Sequence, residues 1–526
     1  MHQIAASSVS PRSAARTGQT TGLGNRLSLA LWGTLGLFLI GYGLVAFESG
    51  TKISTHLNTT EDQLAKIDYL MEQARNDVST IGSPESESMS PLWVRTIERL
   101  HSSQYANSDD GVMTTERHYI SMSEGQRNRL SLHMMLGMVL MTFGFFQFWP
   151  AFRRRFRMAH RLMGGIYVLA GFTSMTMSGW HLLTNDVSEI FNEYVFYMGL
   201  WLMLVIAVTG LSAAGYAIYR KQIAAHLGFQ ALAFGSFLTA PIQRAWWVGM
   251  APFAGDASFN EMNIIVNVSL FAQSFLVAYV LFCINRSSSP IRKTWQDHSG
   301  IVETSMGTRL ACQVLVVLAL FVTFGFLIQW PGLAAGETIA RMVPAQAAQW
   351  HDAVMVDSPL RYGLFAAIAV QLLLGMRLFL ASEPQRREQF LAPVVITAAA
   401  LASAGILMSW GYQLGMPRHE ISVAGVFYTF AGGLQFLLCV WFASQALRQQ
   451  PGKMREALCL VLGMAMAPAI MVGFLWLLAS GDVVPTVYRE SGHGYQMAAA
   501  FALFLPILVG HLYAMFSAET KRHAVN

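Results

Sequence analysis

Charge is scarce in this chain. Of its 526 residues only 12% are Asp, Glu, Lys or Arg, where a water-soluble protein carries about 25%. That shortage excludes an ordinary soluble enzyme, a disordered scaffold and a nucleic-acid-binding protein. Cysteine is scarce too. Cys283, Cys312, Cys439 and Cys459 are the whole set. They lie near span ends expected on the cytoplasmic side, which argues against disulfides, and they follow no zinc or iron–sulfur spacing. No Cys-x-x-Cys-His occurs, so covalently attached c-type haem is excluded. The lack of Gly-x-x-x-x-Gly-Lys-Ser/Thr excludes an ATP-driven pump within this chain. The lack of Gly-x-Ser-x-Gly and of His-Glu-x-x-His excludes a standard esterase and a zincin. Acidic residues are missing from the middles of the apolar runs, which counts against a proton-coupled transporter.

What is present is apolar. Hydrophobic residues make up 54% of the chain and the mean hydropathy is +0.41. Runs of roughly 20 apolar residues, enough to cross a bilayer, recur about twelve times. The expected spans are 27–47, 130–150, 162–184, 196–219, 223–243, 264–284, 308–330, 360–380, 391–411, 421–443, 457–480 and 496–516. The fold class is therefore an all-α polytopic membrane bundle of about twelve transmembrane helices. The net charge of +5 reports topology rather than a nucleic-acid partner. With the N-terminus inside, 22 of the 35 Lys and Arg fall on the cytoplasmic side and five in the short opposite loops. Both termini are thus expected in the cytoplasm. The run Arg153, Arg154, Arg155, Arg157 and Arg161 could also meet anionic lipid.

The expected organisation follows. Residues 1–26 form a polar cytoplasmic tail. Residues 27–47 are too long an apolar run for a cleaved signal and read as a retained first helix. Residues 48–129 make an extracytoplasmic helical cap, where a redox or assembly partner could dock. In it Thr60-Glu61-Asp62-Gln63 is a capping box, followed by Leu64, Ile67, Met71, Ala74 and Val78 at helical spacing. Gly82-Ser83-Pro84 and the Ser/Glu stretch behind it read as loop. Ser90-Pro91 opens a second helix bearing Leu92, Ile97 and Leu100. Residues 130–284 form a first membrane bundle, 285–307 a cytoplasmic linker, 308–516 a second bundle and 517–526 a cytoplasmic tail. Thr142–Pro150 resembles Thr323–Pro331. The copies sit five spans apart, as in an inverted repeat. The lipid bilayer is the one certain partner, and a bacterial inner membrane is the expected location.

Ionisable groups inside spans are costly and mark function. His133 and His181 lie near the outer ends of spans two and three, and His160 and His226 near the inner ends of spans three and five. The two levels are expected roughly 20 Å apart at 1.5 Å rise per residue. Two histidine pairs at two depths are what two stacked b-type haems require of their axial ligands. Gly137, Gly144, Gly164, Gly165 and Gly171 offer small surfaces nearby. Structural histidine is the bland alternative. A second cluster of loop residues, His351 with Asp352, His419 with Glu420, and Glu490 with His493, is a weaker candidate metal site.

Leu132-His133, the stretch Gly144–Pro150 and the block His160-Arg161-Leu162-Met163-Gly164-Gly165-Ile166-Tyr167 resemble the bacterial membrane proteins of domain-of-unknown-function family 2306. That family carries His-Arg-x-x-Gly-x-x-Tyr after an arginine-rich turn, then a His-led span that ends in arginine. Here the second feature resembles His226 through Gln243-Arg244, with Leu227 where an arginine is usual. The likeness covers about residues 128–250. It implies a membrane fold and draws attention to Arg161, Tyr167 and Arg244. The family is uncharacterised, so it implies no activity. The working function is a haem-b-type membrane redox protein with bis-histidine ligation. The alternatives are a twelve-helix secondary transporter and a non-catalytic assembly or sensor subunit.

Overall fold

The structure is a computed structural model. It describes residues 22–55, 60–184, 193–288, 306–329, 331–333, 342–380, 386–416, 423, 425–481 and 493–523. No strand occurs among them. In hydrocarbon a helix satisfies its own backbone N–H and C=O groups, so apolar runs of this length have no other open-chain solution.

The first half begins with α1 (Gly22–Thr55) and a cap of five short helices. These are α2 (Thr60–Arg75), α3 (Pro84–Met89), α4 (Leu92–Leu100), α5 (Ser103–Asn107) and α6 (Met113–Ser121). Then come α7 (Glu124–Phe148), α8 (Pro150–Arg155), α9 (Arg157–Thr184), α10 (Glu193–Tyr219), α11 (Ile223–Phe237), α12 (Thr239–Met250) and α13 (Phe259–Ser288). The second half holds α14 (Met306–Phe324), α15 (Ala345–Met355), α16 (Leu360–Leu380) and α17 (Arg386–Leu414). It continues with α18 (Val426–Leu447), α19 (Pro451–Ala465), α20 (Ala467–Ser480) and α21 (His493–His523).

Among the described residues nine helices are long and apolar enough to cross a membrane. Two bent pairs, α11–α12 and α19–α20, bring the number to eleven. The remaining expected span is α9. It is 28 residues long and packs between α7 and α10. It falls short in apolarity because it carries glycines, serines, threonines and two histidines.

The two halves repeat one another in parallel. Counting α9 as a pass, each half makes six, and the fifth pass of each is bent, by 43° at α11–α12 and by 51° at α19–α20. The turns into these passes match in detail. Lys221 and Gln449 both adopt positive φ, 59° and 51°. Gln222 N–H donates to Ala217 O at 2.8 Å, and Gln450 N–H to Gln445 O at 3.1 Å. At the bends Leu238 N–H donates to Gly235 O and Met466 N–H to Gly463 O, both at 3.1 Å. Every one of these pairs is separated by the same number of residues. Copies six passes apart run in the same direction, so this repeat is not the inverted one suggested by Thr142–Pro150 and Thr323–Pro331. Those two segments also differ locally. The first stays α-helical to Phe148, whereas the second ends in a π-helical turn over Gly325–Gln329.

Close approach of α1 to α7 depends on glycine. A Cβ on Gly43 would lie 3.2 Å from the Met138 backbone, and one on Gly50 2.9 Å from Ser131 O. Ser131 Oγ uses that proximity to donate to Gly50 O at 2.7 Å. The halves are joined by a buried bidentate ion pair. Arg286 Nη1 and Nη2 meet the Glu456 carboxylate at 2.8 and 2.9 Å. Glu456 lies just ahead of the expected span 457–480 and is neutralised by its partner, so the middles of the apolar runs remain free of acid, as expected.

The cap differs from expectation in two places. Pro84–Met89 is helical, with Ser83 accepting from Ser86 N–H at 3.1 Å and Pro84 at the first turn, where a missing N–H costs nothing. On α4 the inward residues are Val94 and Ile97, both 0% exposed, while Leu92 and Leu100 face out. Ile67, Met71 and Ala74 are buried as their spacing predicts, and Val78 is not. Most of the expected linker, 289–305, lies outside the described residues.

Gly43→Leu should destabilise the fold by about 1–3 kcal/mol, the usual cost of overpacking. Gly41→Leu, where a Cβ meets nothing within 4 Å, should leave the melting temperature in detergent unchanged. Equal melting of the two variants would refute the close α1–α7 contact. Glu456→Ala should cost about 3–5 kcal/mol by stranding Arg286, and the double variant Arg286→Met/Glu456→Leu should recover most of it. A double variant no more stable than Glu456→Ala would contradict this.

Candidate functional site

A cavity of about 200 Å³ opens in the cap-side part of the first half. His133 and Gly137 of α7 form one wall, and Ser174, Ser178 and His181 of α9 the other. Its floor is the α11–α12 break, with Ser236, Phe237, Thr239 and Ala240, and Arg244 and Tyr42 close the cap side. Most of the remaining lining is methionine and leucine. The bend thus places backbone termini and small side chains beside the histidines.

His133 is held in one tautomer. Its Nδ1 lies 3.1 Å from Ser174 O and 2.9 Å from Ser174 Oγ. A carbonyl only accepts, so Nδ1 carries the proton and Nε2 keeps its lone pair. His181 lines the same cavity, is 8% exposed, and is near enough to His133 to interact with it electrostatically. At the other level His226 Nδ1–H donates to Ala214 O at 3.0 Å, leaving Nε2 as an acceptor. His160 and His226 likewise interact, and His160 Nδ1 is buried without a hydrogen-bond partner. Each pair therefore lies within electrostatic range, His133 of His181 and His160 of His226. The expected separation of the levels needs correction. His160 and His181 lie at opposite ends of one unbroken helix, α9, and a rise of 1.5 Å per residue puts them about 31 Å apart along it. Tyr167, 1% exposed, lies between them, and its ring meets Phe237 of the cavity floor at 6.0 Å.

The other expected residues fall as follows. Arg161 is exposed near the start of α9, beside His160. Of the five glycines, Gly137 opens on the cavity, whereas a Cβ on Gly144 would meet Phe234 and one on Gly171 would meet Leu211. Gly164 faces Gln147, and Gly165 meets nothing within 4 Å. In the second half His351 is 2% exposed, and both ring nitrogens are engaged. Nδ1 pairs with Asp352 at 3.1 Å and Nε2 bonds to the Tyr428 hydroxyl. That leaves no lone pair for a metal. His493 opens α21, and His419, Glu420 and Glu490 lie outside the described residues. Among the described residues no three His, Cys, Asp or Glu side chains are arranged to hold a metal ion.

The parallel repeat supplies an internal comparison. Leu136-Gly137-Met138 of α7 matches Leu374-Gly375-Met376 of α16, which sets Gln371 in the place of His133. Gln371 Nε2 donates to Ser403 Oγ at 2.9 Å, repeating the His133–Ser174 contact with a side chain that cannot ligate iron. Met454 stands in the place of His226, by the spacing that relates the two turns. Trp410 takes the place of His181, by the spacing that relates Ser174 to Ser403, and it is fully buried.

A smaller cavity of about 50 Å³, the vestibule, lies between the cap and the bundle. It shares Tyr42, Tyr119, Met134 and Arg244 with the larger one. Trp93 of α4 stacks on Trp247 of α12 at 5.4 Å, and His101 Nε2 contacts Gly255 O at 3.1 Å, so the cap is seated on this face. Glu116 of α6 lines the vestibule, and burial pushes its carboxyl up to about 7 against the weaker opposing pull of Arg244 and Lys52. Glu116, Tyr119, Thr115, Trp93 and Ser174 give no sign of function in sequence. Their role arises only when the cap docks or α9 meets α7.

Residues 130–282 match a family model described as a predicted membrane protein (DUF2306). The match takes in both histidine pairs and Arg244, and it stops before the second half. No curated protein and no solved structure matches the chain.

Glu116 makes cap docking pH-dependent. Its carboxyl titrates near 4.5 when exposed and near 7 when docked. A raised folded value favours the docked cap below pH 4.5, and that contribution is lost as the pH rises through 7. The loss amounts to about 3 kcal/mol, from 1.36 kcal/mol per unit. Hydrogen exchange in residues 60–122 should therefore be faster at pH 8 than at pH 5 beyond the intrinsic rate change, and Glu116→Gln should remove the difference. Equal protection at both values in the parent chain would contradict this.

Proposed function

We propose that the first half is a haem-b-type electron-transfer module of a bacterial inner membrane, with the cap on the extracytoplasmic side. In this reading His133 and His181 are the axial ligands of the group near the cap, and His160 and His226 those of the group near the far side. The observation that carries it is the presentation of the imidazoles. His133 and His226 each donate Nδ1–H to a backbone carbonyl and keep Nε2 as a ligating atom. That is the arrangement in which proteins hold metal-binding histidines. The duplicate half keeps the scaffold and replaces these residues with Gln371 and Met454.

The donor set at the cap-side level suits such a group, which would have to widen the cavity of about 200 Å³ to enter. A carbonyl and a serine fix one ring, and Gly137, Ser178 and Ala240 leave room between the histidines. Methionine and leucine supply the apolar surroundings a macrocycle needs. Bound there, haem would supply one-electron exchange. The chain itself orients the rings, excludes water and, through Tyr167 and Phe237, fills the space toward the other level.

A second reading, a secondary transporter, draws on the paired bends. Discontinuous helices at matching positions of two repeats mark substrate sites in transporters, and the first of these bends floors the cavity.

The deciding measurement is a dithionite-reduced minus air-oxidised spectrum of the detergent-purified chain. A b-type signal near two haems per chain is expected, falling by about half in His133→Ala and in His226→Ala. Protein without haem, made with ample haem supply, would sink the electron-transfer reading and leave the transporter.

A further inference from the structure

Arg244 stands where the cavities of the first half meet. Its guanidinium lies 5.0 Å over the Trp247 ring and 5.7 Å over Trp93, and Nη1 donates to Gln243 Oε1 at 2.7 Å. Among the described residues it forms no ion pair, and it lines the vestibule as well as both neighbouring cavities. The cap brings further donors. Thr115 Oγ1 is buried there without a hydrogen-bond partner, and the Tyr119 hydroxyl belongs to the same wall. Glu116, 8% exposed, adds a carboxyl that is largely protonated below neutral pH and can then donate as well. So one cation and several hydroxyls converge on a small volume, where the Gln243 and Asn263 carbonyls already accept from Arg244 and Trp247. The spacing that relates the two bends sets Val472 and Leu475 of the second half in the places of Arg244 and Trp247. The charged cage therefore belongs to the half that carries the histidine pairs.

We propose that the vestibule binds a carboxylate, with Arg244 as its counter-charge and Thr115 and Tyr119 as further donors, and that the planar apolar body bearing it lies in the adjoining histidine cavity. A single guanidinium presents a planar fork that matches a carboxylate edge. The vestibule, about 50 Å³, suits a carboxylate group, and the 200 Å³ beyond it has methionine and leucine walls between its polar residues. Two bearers share this chemistry. One is a resident macrocycle with carboxylate side chains, which rests on the electron-transfer reading above. The other is a free aromatic carboxylic acid, which does not.

The test uses the full chain in detergent and first measures haem per chain. If haem is present, Arg244→Gln should lower the midpoint potential of one haem by removing a positive charge beside it, or release that haem. Arg244→Lys should restore most of the effect. If haem is absent, equilibrium dialysis with benzoate should detect binding that weakens at least tenfold in Arg244→Gln and clearly in Thr115→Val. Acetate, lacking the apolar body, should bind more weakly than benzoate, and inorganic phosphate should not compete. Should Arg244→Gln fail to fold by size-exclusion elution, Arg244→Lys and Thr115→Val carry the comparison. Haem-loaded protein whose potentials and haem content are indifferent to every one of these substitutions overturns the carboxylate site and leaves electron transfer standing. Haem-free protein that binds benzoate through Arg244 does the reverse. Haem-free protein that binds no benzoate refutes both.

Discussion

A polar side chain inside a bilayer must find its partner within the protein, and this single requirement organises the molecule. Leaving such a group unmatched in hydrocarbon costs several kcal/mol. Several polar residues deep in the bundle therefore fix two helices against one another, while others, such as Ser274 and Asn285, bond back to their own helix. His133 joins α7 to α9 through Ser174. His226 ties α11 back to α10 through Ala214, and His511 joins α21 to α11 through Gly228 O at 3.0 Å. Gln371, Ser403 and Gln435 link three helices of the second half, with the two glutamines 2.8 Å apart. Apolar packing between lipid-facing helices is nearly indifferent to register, because lipid is as apolar as leucine. These few bonds supply the register.

The two halves show how one scaffold diverges under that requirement. Gln371 meets Ser403 as His133 meets Ser174, so the structural contact survives the exchange of imidazole for amide. What changes is the atom left over. Imidazole retains a lone pair on a ring nitrogen after donating, whereas the amide has only a carbonyl oxygen, which in Gln371 accepts from Gln435. Around it Trp410 is fully buried, and Tyr428, also fully buried, meets it edge-on at 6.1 Å. At this place, among the described residues, the second half is filled where the first is open. The Arg286–Glu456 pair is correspondingly an internal fastening between the copies, since each charge is spent on the other.

The sequence made some of this legible and hid the rest for physical reasons. Apolar length disclosed the helices, because spanning a bilayer needs a fixed number of residues. The depth of each histidine along its span suggested which would lie at the same level. Separation of the two levels was misjudged because span ends are poor rulers, whereas one continuous α9 is a good one. The parallel repeat escaped notice because its strongest marks are backbone features at Lys221, Gln449, Leu238 and Met466, and none of these residue types announces a turn or a bend. Thr142–Pro150 and Thr323–Pro331 share letters without sharing a place in the fold. Glu116 and Thr115 were invisible since nothing in a short polar helix says which residues it will press against a membrane bundle.

The bend between α11 and α12 divides one pass into two mechanically separate pieces. The α11 piece carries His226 and is bonded at Gly228 to the last helix of the second half. The α12 piece carries Arg244 and is bonded to the cap by the stack of Trp247 on Trp93. They meet at Leu238, whose N–H is shared between Phe234 O and Gly235 O, and both pack against α13. A load applied to the cap therefore reaches first the piece that shapes the vestibule, while the piece that holds the far histidine has the last helix as a further anchor. The pass behaves as a hinged lever with its fulcrum in the wall of the cavity.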